Sequence, residues 1–151
     1  MTVVRPATPD DIDALAGLAE EMDRFYGADD TEPLDIRRQQ IREALFGDLP
    51  AAYALLAIDG GAAIGFAAYS FLWPAVGLTR SLYLKELYVT KARHRGGVGR
   101  QIMESLLEVA RKHDCSRVEW TTDQDNPGAQ AFYETFGLEP KDSKLFYRLA
   151  Q

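Results

Sequence analysis

Apolar and polar residues alternate along this chain in two rhythms, and the changes of rhythm mark its elements. Residues 2–5 are β-branched and predict a short opening strand. Ile12, Leu15, Leu18 or Ala19, Met22 and Tyr26 then recur at helical spacing until Gly27. Thr8-Pro9-Asp10-Asp11 precedes them with a capping hydroxyl, a first-turn proline and two carboxylates suited to the positive end of a helix. A polar loop follows over 27–33, then a second helix capped by Asp35, with apolar positions at Ile41, Leu45 and Phe46 and a stop at Gly47. Residues 52–58 and 62–73 are apolar runs divided by Asp59-Gly60-Gly61, a hairpin signal. Residues 81–89 predict a fourth strand. A long helix follows it, with Val98, Ile102, Leu106 and Ala110 on one face, Met103 and Leu107 beside them, and Arg100, Glu104, Glu108 and Lys112 opposite. A fifth strand over 117–122, a short helix from Asn126-Pro127 through Phe136 to Gly137, and a last strand over 144–149 complete the pattern.

The order β-α-α-β-β-β-α-β-α-β has no repeat and no linker, which predicts one α/β domain over 1–151 with a mixed sheet. Composition agrees: 46% of residues are apolar and 26% charged, and there is a single Cys. A net charge of −6 argues against general nucleic-acid binding, which needs a basic surface. No apolar run approaches a membrane span, and the first residues lack a signal-peptide core, so a cytoplasmic protein is expected. Two His and one Cys offer no metal-ligand spacing, and His113-Asp114-Cys115 are too close in sequence to converge as a triad.

The charge distribution matters more than its sum. Acidic residues crowd the first third of the chain, whereas Lys91, Arg93, Arg95 and Arg100 surround Gly96, Gly97 and Gly99. A strand that runs through a basic, glycine-rich turn into a helix offers a fan of backbone N–H groups and a positive helix end to a phosphate. The same residues also suit a plain strand-to-helix turn. No GK[ST] follows the glycines, and the spacing lacks the third glycine of a dinucleotide fingerprint.

HRGGVG at 94–99 resembles the Q/R-x-x-G-x-G/A loop of the GCN5-related N-acetyltransferase superfamily, which cradles the pyrophosphate of acetyl-coenzyme A. LYV at 87–89 is similar to that family's pantetheine-binding strand, DNPGAQAFYETFG at 125–137 to its N-x-x-A-x-x-FY helix, and VRPATPDD to its usual opening. The resemblance implies a mixed, mostly antiparallel sheet flanked by helices, with a splayed fourth and fifth strand pair. It implies that Leu87, Tyr88, Val89, His94, Arg95, Gly96, Gly97, Val98, Gly99, Arg100, Asn126 and Tyr133 meet the cofactor. His94 stands where the family usually has Gln or Arg. Within the superfamily, IGFAAYSFLWP and SLYLKELYV are most similar to the diamine/polyamine (spermidine/spermine) and thialysine acetyltransferases.

The implied reaction transfers an acetyl group to a primary amine by direct attack. Such an amine has a pKa near 10.4, so removing its proton at pH 7 costs roughly 4–5 kcal/mol. A proton acceptor is therefore required, together with an acid for the departing thiolate. The resemblance assigns the acid to Tyr133. The polyamine enzymes carry a Glu-Asp pair before the LYV-like segment; Lys85 replaces the Glu here and Glu86 occupies the Asp position. Alternate strand residues face opposite ways, so Glu86 serves as base or amine-binding group only if a bulge re-aims it. Phe25, Tyr26, Tyr69 and Trp73 are expected as pocket walls, with Asp29 or Asp30 holding a remote cationic end. The expected partner is a small polyamine, diamine or amino-acid-like amine, with a homodimer as the possible assembly. A protein or peptide acetyltransferase and a non-catalytic acyl-coenzyme A module are the alternatives.

Overall fold

Five strands make one sheet in the order of the sequence: β1 (Thr2–Pro6), β2 (Tyr53–Asp59), β3 (Ala62–Leu72), β4 (Arg80–Val89) and β5 (Cys115–Glu119). They are seen in a computed structural model that describes residues 1–151, in which residues 1–120 and 121–151 form two compact units. The first three pairings are antiparallel and β4–β5 is parallel. The parallel step needs a crossover, and α3 (Val98–Lys112) supplies it. The sheet is therefore mixed and mostly antiparallel, as expected. Between β2 and β3, Gly60 and Gly61 both take positive φ (57° and 81°), the backbone a two-residue hairpin demands.

Each face of the sheet is covered. On one side Leu15 and Leu18 of α1 (Ile12–Phe25) pack with Ala54, Leu56, Phe66 and Tyr88, joined at the margin by Met22 and by Ile41 and Leu45 of α2 (Leu34–Phe46). On the other side α3 buries Val98, Ile102, Met103, Leu106 and Ala110, while Leu107 is exposed rather than joining the stripe. Gly65 of β3 lies under α3 at its tightest point: a Cβ there would stand 2.9 Å from the Tyr88 carbonyl oxygen and 3.2 Å from Ile102 Cδ1.

Several boundaries differ from expectation for identifiable reasons. α2 begins at Leu34 with Pro33 at its N-cap, so Asp35 sits inside the first turn instead of capping it. Proline at that end fixes an extended entering backbone (φ −54°, ψ 149°). β5 begins two residues early because Asp114 adopts φ 54° directly after α3, which reverses the chain so that Cys115 already pairs with Arg80. Arg37, in the polar half of α2, is buried: it donates to the Ala16 carbonyl at 2.9 Å and lies 3.7 Å from Asp23. In the second unit α4 (Pro127–Glu134) is capped by Asn126, whose side chain accepts from Ala129 N at 3.1 Å, and the turn closes at Gly137 with φ 75°. The strand expected over 144–149 does not form, and Leu145, Phe146, Tyr147 and Leu149 are exposed. β-branched and aromatic content makes a strand only where another strand completes its ladder. No helix is long and apolar enough to cross a membrane.

The start of α1 is fixed by Asp11. Its carboxylate takes two hydrogen bonds from Arg5 (2.7 and 2.9 Å) and one from the Thr8 amide at 2.7 Å, tying β1 to the helix. Chiefly through the Arg5 hydrogen bonds, its pKa is held down to about 2, below the ordinary value of about 3.9. A lowered native value contributes stability that is complete above the unfolded pKa and is lost as pH falls through the folded one. With allowance for the exposure of Arg5, about 1 kcal/mol is expected to disappear between pH 4 and pH 2. Urea denaturation at stepped pH should show this loss in the wild type, and Asp11→Asn should be less stable at pH 5 but converge on it near pH 2.

Candidate active site

β4 loses its parallel neighbour partway along. Its pairing with β5 covers only Arg80 to Tyr83, so the remaining stretch to Val89 runs on without that partner. This is the splayed pair the sequence led us to expect. On its other side β4 stays paired with β3 to its end, where the Thr90 amide donates to the Ile64 carbonyl at 2.9 Å. Antiparallel strands alternate in which residues bond across, so Tyr88 directs its backbone toward β3 while Leu87 and Val89 direct theirs toward the open edge. Of the LYV segment, only Leu87 and Val89 therefore offer main-chain groups on that side. Tyr88 instead buries its ring in the core beneath α1.

A bulge re-aims the residues before it. Ala68 pairs with Glu86 but Tyr69 pairs with Leu84, leaving Lys85 as the extra residue, and Lys85 is exposed. Directly paired residues share a face. Glu86 therefore stands on the α1 side with Ala68 and Tyr88, while Leu84 stands on the α3 side with Tyr69. Without the bulge Leu84 and Glu86 would share one face.

The chain leaves β4 through a short 3-10 turn at Lys91–Arg93. Arg95 then takes φ 66° and Gly97 takes φ 83° as the N-cap of α3. Left-handed residues beside the start of a helix turn successive N–H groups to one side, and the first amides of α3 have no carbonyl four residues earlier to bond. Arg95 has a Cβ, so its left-handed conformation is costly by about 1–2 kcal/mol. The Gly96 amide is used within the turn, on the Arg93 carbonyl at 3.3 Å, so the donors the turn presents are those at the start of α3, with the positive pole of that helix behind them, chemistry that fits a diphosphate. Arg93 departs from the expected basic rim: it bonds Asp59 at 2.6 Å, anchoring the turn to the β2–β3 hairpin. His94 Nε2 lies 2.7 Å from the Val89 carbonyl. A carbonyl can only accept, so the proton is on Nε2.

Sequence reasoning missed a chain of contacts joining this turn to the end of α1. The Tyr88 hydroxyl donates to Glu21 at 2.8 Å. Phe25, the last residue of α1, sets its ring against Tyr88 (6.2 Å between centroids), Tyr26 (5.2 Å) and His94 (5.9 Å, 78° between planes). Burial first, then the Glu21 contact, raises the Tyr88 hydroxyl further above the ordinary tyrosine range, so it stays protonated. The available signal was the spacing of Glu21 and Phe25, four residues apart on one helix face.

The expected wall residues do not all converge. Phe25 and Tyr26 are at the Val89 end of β4, and the exposed Asp29 lies just beyond α1, with its carbonyl accepting from Arg24 at 3.1 Å. Tyr69 is buried on the opposite, α3 side of the sheet, against Tyr53 and Phe71, and that burial raises its hydroxyl pKa. Trp73 lies past the other end of β3, where Leu72 pairs with Ser81, and its indole donates to the Leu78 carbonyl at 2.9 Å. Seven residues of strand, about 23 Å, separate that end from Tyr88. An open groove of about 500 Å³ there, between Trp73, Arg80 and His113, is remote from the turn. Asn126 and Tyr133 belong to the second unit, where the Tyr133 ring lies 5.2 Å from that of Phe132. Asn126 caps α4, and α4 carries Tyr133 in its last turn.

Residues 15–138 match the Acetyltransferase (GNAT) family. Thialysine N-epsilon-acetyltransferase of Sus scrofa is 26% identical over 144 residues, covering 89% of this chain and 82% of that protein. An integron cassette protein from the mobile metagenome of V. cholerae superposes with a TM-score of 0.91 at 26% identity, covering 99% of this chain and 93% of the other. An aminoglycoside N-acetyltransferase solved in complex with CoA superposes at 0.80 with 21% identity, over 99% and 95% of the two chains.

The Tyr88–Glu21 bond makes a local prediction. Tyr88→Phe keeps the ring and removes the donor, which should lower stability by about 1 kcal/mol and the melting temperature by a few degrees. Calorimetry of the two proteins checks it.

Proposed function

Because this chain belongs to the acetyltransferase (GNAT) family and is an acetyl-transfer enzyme, we propose that it moves the acetyl group of acetyl-coenzyme A to the primary amine of a small cationic substrate. The carrying observation is the left-handed turn at Arg95 and Gly97, set at the N-terminus of α3 and following a strand that has parted from its neighbour. In this reading the amides at the start of α3 hold the diphosphate, and the open edge at Leu87 and Val89 holds the pantetheine arm. Acetyl-coenzyme A supplies an activated acetyl thioester and leaves as the free thiol.

The chain's own residues then have three tasks. Tyr133, near the C-terminal end of α4, acts as the acid, as the resemblance of its FY pair implies. Asn126 caps that helix by accepting from the Ala129 amide, and the resemblance also assigns it to the cofactor arm. Glu86 takes the proton of the incoming ammonium, directly or through water. Its support is the register of β4: Glu86 lies two residues before Tyr88 in regular pairing with β3 and so shares the α1 side with Phe25's partner. Holding both reactants together removes any need for a covalent enzyme intermediate.

A cationic acceptor is favoured by charge. Glu20, Asp23 and Glu21 at the end of α1 already meet Arg24, Arg37 and Tyr88, but the loop beyond adds Asp29, Asp30 and Glu32, with Phe25 and Tyr26 at its start. Carboxylates and aromatic faces both attract ammonium groups. The acceptor classes to test are polyamines and diamines, thialysine-like amino acids and aminoglycosides, the last two being named in the relatives' own activities.

Free-thiol release from acetyl-coenzyme A with putrescine, spermidine, thialysine, an aminoglycoside and peptides as acceptors tests the assignment. Release with a small cationic amine is expected; release with peptides alone would move the substrate to proteins, and coenzyme A binding without release to any acceptor would leave a binding module. Tyr133→Phe should lower turnover at least tenfold with coenzyme A affinity changed less than twofold. Gly97→Asp should weaken coenzyme A binding at least tenfold by calorimetry, because a side chain strains the left-handed position and a carboxylate repels the diphosphate.

A further inference from the structure

His94 departs from the Gln or Arg of the resembling loops, and its surroundings give it a different task. One ring nitrogen is committed to the Val89 carbonyl at 2.7 Å, on the β4 edge that faces away from β3. The ring itself meets Phe25 nearly edge-on at 5.9 Å. Phe25 is the final residue of α1, and after the C-cap Tyr26 the chain turns at Gly27 (φ 99°) into the acidic 27–33 loop. Phe25 also touches Tyr88, whose hydroxyl bonds Glu21. One imidazole thus touches the strand end, stands at the first position of the turn and supports the last residue of α1. A Gln could make the carbonyl bond, but it could not offer an aromatic edge.

We propose that His94 is a positioning residue that couples the 95–99 turn to the end of α1, so that filling the turn orders the 27–33 loop. The proposal rests on the cofactor assignment above. A ligand gripped by the amides after His94 fixes the backbone that carries the imidazole; the imidazole fixes Phe25, and Phe25 fixes the point from which the loop departs. Such coupling is reciprocal, so an acceptor that orders the loop must tighten cofactor binding by the same factor. Phe25 meets the head of the turn through the His94 ring, and its other contact, Tyr88, belongs to β4. The part of its contribution to cofactor affinity that runs through the ring must therefore vanish when that ring is gone.

Hydrogen–deuterium exchange of the full chain, with and without saturating coenzyme A, reads the coupling directly. In the wild type, exchange should slow severalfold both in peptides covering 95–101 and in those covering 22–33. In His94→Ala and His94→Gln, at saturating coenzyme A, 95–101 should still slow and 22–33 should not. Calorimetry adds a cycle: Phe25→Ala should weaken coenzyme A binding about three- to tenfold, the scale of an edge-to-face pair, and should cost clearly less in a His94→Gln background. Phe25→Leu, which retains bulk, should behave like Phe25→Ala. A wild-type 22–33 segment indifferent to coenzyme A while 95–101 responds, or effects of Phe25 and His94 that simply multiply, overturns the coupling and leaves the cofactor assignment standing. If 95–101 does not respond either, the cofactor assignment itself falls, and the coupling with it.

Discussion

A strand that keeps one neighbour and loses the other governs this fold's chemistry. β4 is held along its whole length by β3, but β5 accompanies it only as far as Tyr83. Unpaired main-chain groups inside a sheet are costly unless something else meets them. The parting therefore leaves main-chain groups of β4 without a strand to meet them, and at Val89 the His94 ring meets the carbonyl instead. The crossover that sends the chain to β5 must start from this same end of β4, so the N-terminus of α3 arrives there too. The donor-lined turn and the open edge are consequences of one topological step, from antiparallel to parallel pairing.

Around that step the structure spends local strain where it positions donors and uses ordinary packing elsewhere. Arg95 and Gly97 are left-handed, and Arg93 pins the turn to Asp59 of the β2–β3 hairpin. Gly65 permits α3 to press on β3 next to Val89, and α3 in turn buries Ile102 and Leu106 against the sheet. On the opposite face Arg37 ties α2 to α1 through the Ala16 carbonyl. The loop after α1 is tied back to that helix by polar contacts instead: Ala28 donates to the Asp23 carbonyl, Arg24 to the Asp29 carbonyl, and Thr31 to Glu20.

The sequence declared those features whose cause is local. The four-residue recurrence of Val98, Ile102, Leu106 and Ala110 is the buried face of α3, and the glycine pair after Asp59 is a hairpin turn. The α/β order and the turn before α3 followed from the same cues. Features that depend on register could not be read this way. Tyr69 and Phe25 are both aromatic, yet they lie on opposite faces of the sheet, and Trp73 belongs to the far end of the β3–β4 ribbon. Arg37 is polar in sequence and buried in space because its partners come from another helix. Residues 144–149 have the composition of a strand, but a ladder is a property of two segments. Glu21 and His94 were legible singly, as a helix carboxylate and an unusual loop residue. Only Tyr88 and Phe25 between them reveal that they belong to one chain of contacts.

The extra residue at Lys85 shows that position along a chain and side of a sheet are separate coordinates. Matching motifs letter by letter sets Lys85 against the glutamate that the resemblance to the polyamine enzymes leads one to expect. The inserted residue sets Leu84 on the α3 side while Glu86 keeps the α1 side of Tyr88, faces that a letter count along the strand does not reveal. What the 85th position contributes is therefore length rather than charge. Replacing it should be far gentler than removing it, because excision would turn Glu86 and its successors about the strand axis or force the pairing with β3 to slip.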